Sequence, residues 1–140
     1  MNENQAKKLI DVALGRTPGD LAVVNARLLN VYTGEILDNQ SVCTCGERIA
    51  CVGPDVGQSI GEGTTVIDAG GATLIPGFID GHAHVASSFT AGEFLKYAAR
   101  GGTTTIITET LEPYAVAGIA GVLDFLASLK DQPIKFFATA

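Results

Sequence analysis

Positive charge is scarce in this sequence and never concentrated. Nine Lys and Arg stand against fifteen Asp and Glu, for a formal charge of -6, and Lys7-Lys8 is the only adjacent basic pair. Without a basic stripe, phosphate-driven nucleic-acid binding is excluded. Long apolar runs are missing too: none approaches the roughly 20 residues that a membrane-spanning helix requires. The opening Met1-Asn2-Glu3-Asn4-Gln5 is polar and lacks the charged-then-apolar order of a secretory leader. No membrane partner is implied, and a cytoplasmic location is expected. Charged residues make up only 17% against 46% apolar, which excludes a disordered chain and leaves a globular one able to bury a core.

Cysteine is sparse, and its spacing is uninformative for metals. Cys43, Cys45 and Cys51 form C-x-C-x5-C, which matches none of the common zinc patterns. Cys43 and Cys45 would share one face of a strand. They are expected to be small buried apolar groups in a reducing compartment. Phosphate loops of the G-x-G-x-x-G or G-x4-G-K-[ST] type are absent, so Gly101-Gly102 reads as a helix stop.

What is present divides at about Gly70-Gly71, giving an expected organisation of 1–70 and 71–140. Ala6, Leu9, Ile10, Ala13 and Leu14 recur at helical steps, and Gly15 with Pro18 ends that helix. Short β-type runs follow at 21–24, 27–32, 41–45, 48–52 and 65–67, separated by turn residues, and suggest a small antiparallel sheet. Beyond residue 70 the texture becomes alternating strand and helix, the pattern of βα units feeding a parallel sheet. The expected elements are a strand within 74–85, a helix capped by Thr90 and Glu93, a β-branched strand at 103–108, a helix from about 113 to 130, and a strand at 134–140. In the second helix Val116, Ile119, Val122, Leu123, Leu126 and Leu129 form an apolar stripe. A parallel sheet needs both faces covered, so a chain halting after its third such strand reads as incomplete.

The chemistry is concentrated in Pro76-Gly77-Phe78-Ile79-Asp80-Gly81-His82-Ala83-His84, which holds the only two histidines. Two histidines separated by one residue on a strand project to the same side, close enough to bind one cation. They follow an apolar run and so sit at the C-terminal end of a strand, where parallel-sheet enzymes place their sites. Asp80 adds a carboxylate on the same face. Glu109 and Glu112 end the next strand, where a carboxylate could orient water or bind a ring nitrogen. Glu112, just before Pro113, would also suit the positive end of the following helix.

With V-I-D-A-G-G-A-T-L-I before it, P-G-F-I-D-G-H-A-H resembles the entry to the amidohydrolase superfamily, and the whole chain resembles an early portion of the bacterial and archaeal adenine deaminases. Further stretches that carry this are Lys8 to Arg16, Asp20 to Arg27, Asn30 to Ile36, Ser87-Ser88 and Gly102-Thr103-Thr104-Thr105. The resemblance implies an α/β fold, the N-terminal part of a metal-dependent hydrolase (β/α)8 TIM barrel with an attached small β-sandwich and about three of the eight barrel strands. It implies His82 and His84 as metal ligands, one or two divalent ions (manganese, iron or zinc), and Glu112 as a catalytic carboxylate. The remaining ligands and a late aspartate base would lie beyond Ala140, so the isolated chain is expected to be inactive.

The implied reaction is hydrolytic attack on an electron-poor carbon of a cyclic C–N substrate with loss of ammonia, converting adenine and water to hypoxanthine and ammonia. The substrate is a small molecule, a purine base or a related cyclic amide or amidine. Two positions depart from the adenine deaminase pattern: Ala86 where a glutamate is usual, and Leu111 in place of the histidine of D-P-H-E. A cyclic amidase of the dihydroorotase type and a non-catalytic truncated product are the alternatives. Self-association into a homo-oligomer stays open.

Overall fold

The structure is a computed structural model describing residues 1–87 and 89–139. Ser88, cited in the resemblance, and Ala140, the end of the expected last strand, lie outside the described residues. Two compact units meet between Ile75 and Pro76, rather than at Gly70/Gly71.

The first unit begins with α1 (Glu3–Ala13). Asn2 and Gln5 cap it reciprocally, each side chain accepting the other residue's backbone N–H. Five strands follow: β1 (Leu21–Asn30), β2 (Glu35–Cys45), β3 (Arg48–Gly53), β4 (Thr65–Asp68) and β5 (Thr73–Leu74). The sheet is mixed, which corrects the antiparallel expectation. β1 pairs antiparallel with β2 but parallel with both β4 and β5. The runs at 21–24 and 27–32 are one strand, because β1 bulges around Asn25, which adopts φ 56°, and continues. Val12, Ala22, Cys43 and Val56 form this unit's core. Buried Ser59 donates its hydroxyl to the Val12 carbonyl at 2.7 Å, tying the 3-10 turn Gly57–Ser59 to α1.

The second unit holds β6 (Phe78–Ala83), α2 (Ala91–Arg100), β7 (Thr103–Thr108), α3 (Leu111–Ser128) and β8 (Lys135–Ala138). All three strands are parallel in the order β6-β7-β8. This is the βαβαβ start of a barrel. The expected strand within 74–85 is divided: Leu74 pairs with β1, and β6 begins only after Pro76-Gly77. Gly77 is required there, because a Cβ would overlap the Thr104 side chain of β7. Thr90 caps α2 through the Glu93 amide, and Gly102 at φ 86° turns the chain into β7. Ala83, Val85, Leu95, Ile106, Leu129 and Ile134 form this unit's core.

α3 departs most from expectation. It starts two residues before Pro113, and its dihedrals leave the helical region at Ala117 and Gly118, where Gly118 has φ 60° and ψ -149°. No α3 residue is buried, and Val116, Ile119 and Leu123 are exposed. The stripe is therefore not a core face: the break rotates its two halves relative to each other, and of its residues Leu129 alone, beyond the helix end, joins the core cluster, while Phe125, outside the stripe, packs against it. By length and composition α3 could cross a membrane, but it is the crossover between parallel neighbours β7 and β8.

Candidate functional site

Alternation along β6 builds the site. Ala83 and Val85 are buried while His82 and His84 are exposed, so the two-residue period sends both imidazoles to the face opposite the core. Their Nε2 atoms lie 3.1 Å apart, with ring centroids at 4.9 Å and planes inclined at 71°. Two imidazole nitrogens bound to one tetrahedral ion at ~2.0–2.1 Å would lie roughly 3.3–3.4 Å apart. The pair thus fits two positions around a single cation.

The other ring nitrogens face carboxylates. His82 Nδ1 is 3.4 Å from Glu109 Oε1, and His84 Nδ1 is 2.5 Å from Glu112 Oε1. Register explains the first contact. The β6–β7 ladder ends at Ala83 opposite Thr108, and the next amide, Glu109 N–H, donates to the Ala83 carbonyl at 2.9 Å, between the two histidines. Glu112 enters from the first turn of α3, after Thr110. Its hydrogen bond to His84, then its own backbone N–H, hold its carboxyl below the usual range. Glu112 Oε2 is buried with no hydrogen-bond partner among the described residues.

Of the residues singled out from the sequence, His82, His84, Glu109 and Glu112 come together. Glu112, expected as a catalytic carboxylate, touches a histidine. Asp80 does something the sequence reading missed: its Oδ1 accepts the His82 backbone N–H at 3.1 Å. The signal was available, since an aspartate two residues before an amide commonly closes such a turn. Among the described residues no group of three or more His, Cys, Asp or Glu side chains is gathered as a complete metal site. The cysteines are elsewhere, all three as free thiols, with Cys43 buried and Cys45 and Cys51 partly so.

The amidohydrolase family matches residues 73–140. Adenine deaminase 3 of Rhizobium meliloti is 45% identical over 133 residues, covering 94% of this chain and 22% of that protein. The chain therefore spans less than a quarter of that relative. Among solved structures, molinate hydrolase superposes with TM-score 0.60 at 22% identity, over 87% of this chain and 30% of its own. N-acyl-D-glutamate deacylase from Bordetella bronchiseptica, solved with zinc, superposes with TM-score 0.55 at 23% identity, over 65% of this chain and 18% of its own. These last two likenesses establish the shared fold, of which β6-α2-β7-α3-β8 forms the first barrel units. Residues 73–140 are thus similar to the amidohydrolase family, and most of the chain to adenine deaminases.

Proposed function

We propose that these residues supply the first metal ligands of a hydrolase that deaminates adenine, converting adenine and water to hypoxanthine and ammonia. The observation that carries this is the convergence of His82 Nε2 and His84 Nε2, 3.1 Å apart at the C-terminal end of β6. The similarity to adenine deaminases over most of the chain supports the substrate. His82 and His84 would hold the ion, one of one or two. Manganese, iron and zinc all suit imidazole donors. When bound, a divalent cation supplies Lewis-acid polarisation and makes water acidic enough to attack at neutral pH.

The chain's own contribution is orientation. β6 fixes the backbone of His82, Asp80 holds its amide, and His84, the first residue after the strand, stands between buried Ala83 and Val85. That rigidity limits how far the Nε2 atoms can drift from the geometry one ion requires. His82, His84, Glu109 and Glu112 all belong to the second unit. A cytoplasmic location and a free purine base as substrate complete the reading.

A second reading has one observation behind it. Leu111, where the adenine deaminases carry a histidine, is exposed at the start of α3 beside Glu112. That favours a cyclic amide substrate over a purine. Ammonia release from adenine and other aminopurines, beside ring opening of cyclic amides, separates the two in a polypeptide that carries these residues at the length of the relatives. Adenine turnover is expected, and turnover of cyclic amides alone would overturn the purine reading.

A further inference from the structure

We propose that Glu109 and Glu112 are positioning residues, Glu112 accepting the Nδ1–H of His84 and Glu109 drawing that of His82 by its charge, so that both Nε2 lone pairs turn onto a single cation. The inference rests on the reading of His82 and His84 as metal ligands given above. A neutral imidazole carries its proton on one nitrogen only, and an ionised carboxylate can only accept. Glu112, hydrogen-bonded to His84 Nδ1, therefore selects the Nδ1–H tautomer there, and the Glu109 carboxylate, 3.4 Å from His82 Nδ1, favours the same tautomer through its charge rather than through a formed hydrogen bond. Both Nε2 atoms are then bare acceptors facing each other across 3.1 Å. Two lone pairs at that distance repel unless a cation or a shared proton lies between them, so the carboxylates organise the site for positive charge.

The two carboxylates come from different elements, one following the last rung of β7 and one in the first turn of α3. Neither depends on the other for its placement. They are also unequal. Glu112 makes the shorter contact, 2.5 Å against 3.4 Å, and its second oxygen is buried without a partner, whereas Glu109 is held only loosely to its histidine. Glu112 therefore controls His84 more strongly than Glu109 controls His82. A glutamate that merely favoured the α3 N-terminus would leave the imidazole tautomer untouched.

Outer carboxylates of this kind change metal affinity by about 10- to 100-fold when removed. The test uses the full chain with ¹⁵N-labelled histidine, metal-free at about pH 8.5, about two units above the value of a free imidazole. Imidazole ¹⁵N shifts report the tautomer, and zinc competition against a chromophoric chelator reports affinity. In the unsubstituted chain both rings are expected as the Nδ1–H form. Glu112→Gln, which keeps an acceptor but loses the charge, should retain the tautomer and weaken zinc binding about 10-fold. Glu112→Ala should lose both the tautomer and about 100-fold in affinity, and Glu109→Ala should cost about 10-fold. Nε2–H rings in the unsubstituted chain overturn the proposal without reference to any variant. So does a folded Glu112→Ala with unchanged tautomer. If the unsubstituted chain binds no zinc, the metal reading fails, and the tautomers alone still decide the role of the two glutamates.

Discussion

The two units build their cores in different ways. In the first, α1 and the 3-10 turn lie over the sheet, and Val12, Ala22, Cys43 and Ser59 are fully buried around a hydroxyl-to-carbonyl bond. In the second, Ile106 is fully buried but Ile79, Val116, Ile119 and Phe137 are 60–88% exposed. The first unit likewise leaves Val31, Tyr32 and Ile49 59–97% exposed, so what separates the units is less their open apolar surface than what they carry: both histidines and their glutamates lie in the second. A parallel sheet is ordinarily covered on both faces.

The comparison is broken most severely at Ile106, the largest fully buried side chain. Ile106→Ala should destabilise the second unit by about 2–5 kcal/mol. Amide exchange should quicken across 76–139 while α1 and β1–β3 keep their protection. Equal loosening of both units would show that they do not behave separately. Next in size, Ser59→Ala removes one of two donors to the Val12 carbonyl, which keeps the Gly15 N–H at 3.0 Å, at a cost of about 0.5–1.5 kcal/mol. Denaturant unfolding should show that loss in the first unit alone.

Smaller still is the effect expected on α3. Val116 is 88% exposed, so Val116→Ser should change stability by no more than about 0.5 kcal/mol. Its place in the apolar stripe would instead predict a core-sized loss. The least perturbing probe is a thiol reagent. Burial, first of all, and then Cys51 nearby push the Cys43 thiol up. Cys45 and Cys51, only partly buried, should react with the native chain, and Cys43 only once the first unit opens.

Local signals made some of this legible. β7 matches 103–108 because a β-branched run between a glycine pair and a helix start has one comfortable conformation. Alternation alone placed His82 and His84 on one face. The antiparallel expectation failed because period-two patterning sorts faces and says nothing of which strand lies alongside: Thr65–Asp68 and Thr73–Leu74 both join β1 in parallel. The α3 stripe failed because spacing records a helix but not the dihedral break at Ala117 and Gly118. Glu109 and Glu112 could be placed at a strand end. Their contacts with particular ring nitrogens depend on the β6–β7 register and the first turn of α3, which short-range pattern does not contain.

The central claim is that His82 and His84 together hold a divalent ion. Equilibrium dialysis of the chain against zinc, followed by elemental analysis, tests it most directly beside the His82→Ala/His84→Ala double variant. Zinc retained by the unsubstituted chain and lost from the folded double variant is the predicted result. Equal zinc in both would contradict the account, because the ion would then be held by other groups.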